Sequence, residues 1–219
     1  VLEGVRYRGT AFMDLDVRLA RMDELGIDLQ VLSPNPLTYF HHIDADAASS
    51  FCRSHNDAMA DLVAAEPARL AGLAQLPLQD PEQAARELRR AVTELGLLGA
   101  YVGTDPGRTL DDAGLDVVYA ACTELDVPLF VHPAPAGIDG PSRDARLRRF
   151  DADLWLGFAY EESLAVAALV LCSLIALAHA VRQVLDVAVS DLATAVGGVT
   201  PPSLPATVFW VLVGTGLAM

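Results

Sequence analysis

The sequence predicts an α/β fold built on a parallel sheet, and three observations carry that prediction. Short apolar runs rich in β-formers alternate with longer segments of helical periodicity, the links between them are short, and Pro, Gly and Asp stand at the boundaries. The run at 127–131 (Val-Pro-Leu-Phe-Val) is the most informative, because it stops at His132-Pro133. An apolar run closed by proline reads as a buried strand ending in a loop. His132 is therefore expected at the C-terminal end of a strand, where parallel α/β folds hold ligands and metals. Taken alone, such a residue is more often an ordinary hydrogen-bonded histidine.

The elements follow in order. Residues 1–13 read as a short extended segment. Asp14 is a candidate N-cap for a helix whose stripe is Val17, Leu19, Ala20, Met22 and Leu25, ended by Gly26. Ile27 to Ser33 is the next strand, stopped by Pro34 and Pro36. A loop then carries Tyr39, Phe40, His41 and His42, expected to be exposed and at most a substrate lid. A second helix runs from about Asp44 to Glu66 with Phe51, His55, Met59, Leu62 and Val63 on its core face. Leu70 to Leu78 is a strand. Asp80-Pro81 opens a helix with Ala84, Leu88, Ala91, Val92 and Leu95 inward, and Gly96 caps it. Gly99 to Thr104 is a strand, Asp111 or Asp112 begins a helix to about Leu125, and the His132 strand follows. An Arg-rich polar loop spans 136–150, and Glu161-Glu162 opens a further helix with Leu164, Ala167 and Ala168 at helical spacing. The right-handed crossover rule leaves an open doubly wound sheet or a closed barrel, and periodicity does not choose between them. No Gly-x-Gly-x-x-Gly follows the first strand and there is no Walker loop, which lowers a nucleotide-binding reading.

Composition narrows the function. The formal charge is −14, from 29 acidic residues and 15 basic residues that are all Arg. That balance argues against nucleic acid as a partner, and an anionic substrate would need a local Arg. Cys52, Cys122 and Cys172 are too few and too scattered for a disulfide framework and read as small buried hydrophobes. Ser33 has no His or Asp arranged around it as a nucleophile requires. His55 reads as a core residue.

Several stretches in one order resemble a known family. They are Arg21-Met22-Asp23 with Gly26 and Gln30-Val31-Leu32-Ser33, then residues 71–77 (Ala-Gly-Leu-Ala-Gln-Leu-Pro). Glu94-Leu95-Gly96 with Gly99 and Gly103-Thr104, residues 129–133 (Leu-Phe-Val-His-Pro), and Gly157 with Glu161 complete the set. Across residues 5–171 they resemble the amidohydrolase-related family that includes aminocarboxymuconate semialdehyde decarboxylase. The resemblance implies a partial (β/α)8 TIM barrel, roughly its strand 2 to strand 5 half, over residues 1–171. It further implies one divalent metal, usually zinc, with His132 as a ligand, and a small carboxylated substrate that loses CO2 or is hydrolysed. A substrate-binding Arg is placed by ungapped counting at Arg6, with Arg8 the alternative and an ordinary surface Arg equally open. The family also favours a homodimer. Its His-x-His, its catalytic His-Gly-Gly-Gly and its final Asp ligand have no counterpart here, so His132 alone is expected to bind metal weakly, and the chain reads as a piece of a longer protein.

Residues 172–219 form an apolar segment that departs from the family pattern, read as a frameshifted, truncated or fused end. Ser163 to Val181 has only Cys172 and His179 as ionisable side chains and approaches the roughly 20 residues that span a bilayer. Three readings therefore stand: a decarboxylase or hydrolase, a non-catalytic remnant, and a membrane-attached protein using 163–181. Arg6 and Arg8 are followed by no apolar core of a secretory signal, so the location reads as cytoplasmic, with membrane association the alternative.

Overall fold

The computed structural model describes residues 9–133, 152 and 156–195, apart from the side chains of 172, 175, 176, 179 and 186–195. The chain divides into two units, Val1–Ala165 and Val166–Met219. In the first, helix α1 (Leu15–Leu25) leads to strand β1 (Gln30–Leu32), α2 (Ala45–Ala65) to β2 (Leu70–Gly72), α3 (Pro81–Thr93) to β3 (Ala100–Gly103), and α4 (Asp116–Leu125) to β4 (Leu129–His132). Helix α5 (Phe158–Ala195) begins in the first unit and continues into the second.

The caps form as side-chain chemistry dictates. Asp14 accepts from the Val17 N–H, Asp44 from Asp46 and Ala47, and Asp80 from Gln83, so the starts of α1, α2 and α3 each have a carboxylate on their unpaired N–H groups. Gly26 closes α1 in the left-handed region, at φ 67°.

All described strand pairs are parallel. β1 pairs with β2 in the register Val31 to Ala71, and β3 with β4 in the registers Tyr101 to Phe130 and Gly103 to His132. Ala74 stitches the two ladders together: its N–H donates to the Gly99 carbonyl at 2.8 Å and its carbonyl accepts from Tyr101 at 2.9 Å. The strands thus lie side by side in chain order, β1-β2-β3-β4, without the reversal that marks a doubly wound sheet. The β3–β4 approach explains Gly99, because a Cβ there would lie 2.3 Å from the Pro128 carbonyl oxygen. α2 packs on β2, and α2, α3 and α4 pack on one another in sequence. Leu70, Leu76, Leu88, Leu97, Val102, Leu115 and Val118 form the core between them.

The core is polar at its centre. Asn56, 0% exposed, accepts from the Gln75 N–H at 2.8 Å and donates to the Gln75 carbonyl at 3.0 Å and to Glu87 at 2.8 Å. Glu87, 3% exposed, also pairs with Arg90 at 2.7 Å and with Arg53 at 3.4 Å, and Arg90 reaches Asp57 at 2.6 Å. The Glu87 hydrogen bond, with that of Asp57, holds the Arg90 guanidinium in its charged form against partial burial.

Several sequence expectations are corrected here. The buried stripe of α2 is Ala48, Cys52, Asn56 and Met59, turned by about one residue from the expected face, because Asn56 must reach the Gln75 backbone. On α1 only Met22 is buried; Val17 and Leu25 are exposed. At the start of α5 the buried residue is Ala165, whereas Leu164 and Ala167 are exposed. Residues 9–13 form turns, and a 3-10 turn (Ala113–Leu115) precedes α4. Cys52 is a buried hydrophobe, its thiol pushed up to about 12 by burial and then by the Glu87 charge. Among the described residues no helix is long and apolar enough to cross a membrane. Within 163–181 the side chains of Cys172, Ile175, Ala176 and His179 lie outside that description.

Candidate functional site

The strands end at a rim lined with rings. His132, the last residue of β4, is half-buried and stands where its strand pairing predicts. Its Nδ1 lies 2.6 Å from the Pro133 carbonyl oxygen. A carbonyl only accepts, so the Nδ1–H faces it, and Nε2 is the nitrogen that could meet a ligand. Metal-binding imidazoles are commonly oriented in this way, by a backbone carbonyl on the second nitrogen.

Around His132 the rings follow one another across three strand ends. Tyr101 of β3 has its centroid 5.6 Å from the His132 ring, and Phe158, at the start of α5, meets that ring edge-on at 5.9 Å. Tyr39 lies 6.3 Å from Tyr101, and His41 stacks on Tyr39 at 5.4 Å. The Tyr101 phenol is shifted upward by burial, opposed by its polar neighbour Ser33, so it is protonated at neutral pH. Thr104 ties the rim together: its N–H donates to the His132 carbonyl at 3.1 Å and its hydroxyl faces Glu161 at 3.4 Å.

The arm that carries Tyr39 and His41 is fixed by two glutamines. Gln75 Nε2 donates to the Thr38 carbonyl at 2.5 Å, and Gln79 Nε2 donates to the Phe40 carbonyl at 2.8 Å. Phe40 adopts φ 50°, an uncommon value for a bulky residue, and its ring packs edge-on against Phe51 at 5.0 Å. The expectation of an exposed loop is therefore corrected at this arm. Tyr39 and both ring nitrogens of His41 are buried, and only His42 is exposed. The residues do not act as a free lid, because side chains from the segment after β2 hold the arm's carbonyls.

Of the sequence-predicted site residues, His132 lies at the rim, while Arg6 and Arg8 lie outside the described residues. Among the described residues no cluster of three or more His, Cys, Asp or Glu side chains could hold a metal. His132 fits the role of one ligand, and the described residues do not complete a coordination sphere around it. Sequence reasoning missed Tyr101 and Phe158, although the alternation along β3 and β4 places Tyr101 and His132 on one face and was the available signal.

Residues 13–196 match the amidohydrolase family, to which the chain belongs. Among its relatives is the γ-resorcylate decarboxylase of Rhodococcus jostii, 37% identical over 167 residues covering 70% of this chain and 49% of that protein. The 2-amino-3-carboxymuconate-6-semialdehyde decarboxylase of Dictyostelium discoideum is 36% identical over 121 residues, 55% of this chain and 34% of the relative. Among solved structures, the dihydroxybenzoic acid decarboxylase of Polaromonas, with bound manganese and the inhibitor 2-nitroresorcinol, superposes with a TM-score of 0.60 at 35% identity. That match covers 70% of this chain and 48% of the other. The 5-carboxyvanillate decarboxylase of Novosphingobium aromaticivorans, also with manganese, gives a TM-score of 0.61 at 34% identity, covering 68% of this chain and 42% of the other. The chain spans about half the length of the curated relatives it matches.

Proposed function

We propose that this chain is part of a divalent-metal-dependent decarboxylase acting on a small carboxylated aromatic acid. The observation that carries the reading is His132, with Nδ1 on the Pro133 carbonyl at the C-terminal end of β4 and aromatic rings beside it, on a chain of the amidohydrolase family. Relatives that remove CO2 from hydroxylated benzoates support the substrate class, and a solved relative holds 2,6-dihydroxybenzoate itself. Strand order without a reversal supports the matching architecture, a partial (β/α)8 barrel whose rim is the active face.

In this reading His132 is one metal ligand, and Arg6 is the substrate-binding arginine. The manganese of the solved relatives supports a divalent ion without singling out zinc. A divalent ion held there would supply Lewis-acid stabilisation of negative charge on substrate oxygens. The chain's own residues orient the imidazole through Pro133 and wall one side of the ring site with Tyr101 and Phe158. On the face of the sheet turned away from the helices Val31 and Phe130 are exposed among the described residues, an arrangement that favours self-association, and a homodimer is part of the proposal.

Manganese(II) broadening of proton resonances tests the metal role. At millimolar manganese the Tyr101 and Phe158 ring signals should broaden in the wild-type chain and stay sharp in His132→Ala. Equal broadening in the variant would remove His132 from the site.

A further inference from the structure

The face of the sheet that carries His132 also carries Tyr101, and their surroundings differ in a way that bears on selectivity. The pairing of Gly103 with His132 leaves no side chain on β3 directly beside the imidazole, and Tyr101, two residues earlier on the same face, is the next side chain along that strand. Its ring is braced from behind by Tyr39, which is itself fully packed on the arm held by Gln75 and Gln79. The phenol is half-buried, with the Ser33 side chain as its polar neighbour at the end of β1. A ring held in this way keeps its hydroxyl in one place at the edge of the site, where it can serve as a directional donor.

We propose that Tyr101 is a specificity-determining residue of this site, its hydroxyl donating a hydrogen bond to a ring oxygen substituent of an aromatic carboxylate held beside His132. The inference rests on the proposed function and deepens it, since it separates hydroxylated from unsubstituted benzoates. A half-buried donor held in place favours the analogue that offers it an acceptor, whereas an apolar wall tolerates both. Tyr101 is thus expected to favour the hydroxylated acid, and the rings of Tyr101 and Phe158 to serve either ligand.

The test is a four-way titration of the chain by NMR, with wild type and Tyr101→Phe each against 2,6-dihydroxybenzoate and benzoate. Wild type should bind the dihydroxy acid about tenfold more tightly than benzoate, the lower end of what one unpaired group costs. Tyr101→Phe keeps the ring and its bracing, so benzoate affinity should be unchanged while the preference falls to about one. Retention of the preference in Tyr101→Phe would overturn the inference and leave the proposed function standing. Equal weakening of both ligands would overturn it as well, since that is the signature of a packing role. If wild type binds neither acid, the proposed function fails and the inference with it.

Discussion

The two faces of the sheet are built on different terms. On the helix side Ala100 is 0% and Val102 1% exposed, and Asn56 and Glu87, which enter that layer, are paired. On the other side Val31 is 47% and Phe130 48% exposed, although both are as apolar as their neighbours across the sheet. The helix side is a closely packed core among the described residues. The opposite side holds the candidate site at its rim and has little over its middle among the described residues. Stability and proposed function are thus separated by the thickness of one strand.

Substitutions can break that contrast. The largest effects belong to the helix side. Leu88→Ala empties a fully buried position, and Asn56→Ala orphans the Gln75 N–H and carbonyl and one Glu87 bond. Each should cost roughly 3 kcal/mol, read as a lower urea midpoint. Next comes the arm: Gln79→Ala releases the Phe40 carbonyl and should cost about 1 kcal/mol while allowing φ of Phe40 to relax, seen as faster amide exchange at residues 39–43.

A pH effect follows from His55, half-buried against Phe51, whose pKa is lowered by burial, partly opposed by a hydrogen bond with Asn56. The unfolded chain then binds the proton more readily than the folded one. The His55 contribution is complete above the ordinary histidine pKa of about 6.5 and falls as pH drops through the lowered folded value. Urea midpoints should decline below about pH 6.5 in wild type and decline less in His55→Leu. The smallest effect belongs to the open face. Phe130→Ser should change the urea midpoint by an amount equivalent to no more than about 0.5 kcal/mol, while shifting sedimentation toward the monomer. If Phe130→Ser costs as much as Leu88→Ala, something covers that face and the contrast is false.

Much of the helix side was legible in the sequence because local chemistry writes it there. Asp14 and Asp80 cap as carboxylates before an apolar stripe do, Gly26 ends a helix in the left-handed region, and Pro133 marks the end of the His132 strand. Strand lengths were less legible. The run 70–78 is apolar almost throughout, yet only Leu70–Gly72 forms a strand with β1, and Ala74 then turns to β3. Apolar content records burial, and these residues are buried whether or not they are paired. Asn56 and Glu87 were invisible for the opposite reason, since a polar residue in a helix is assigned to solvent until its distant partner is known. The rim was half legible. His132 announced itself by its strand end, whereas the Tyr39–Tyr101 contact joins residues 62 positions apart in a register that no local pattern encodes.

The Asn56 side chain occupies both hydrogen-bonding groups of one backbone residue, as a neighbouring strand would. Gln75 therefore belongs, in its protection from exchange, to a helix and not to the sheet beside it. Its amide proton should exchange together with those of α2 when that helix lifts away, so the residue whose side chain tethers Thr38 has its own backbone anchored by the docking of one helix.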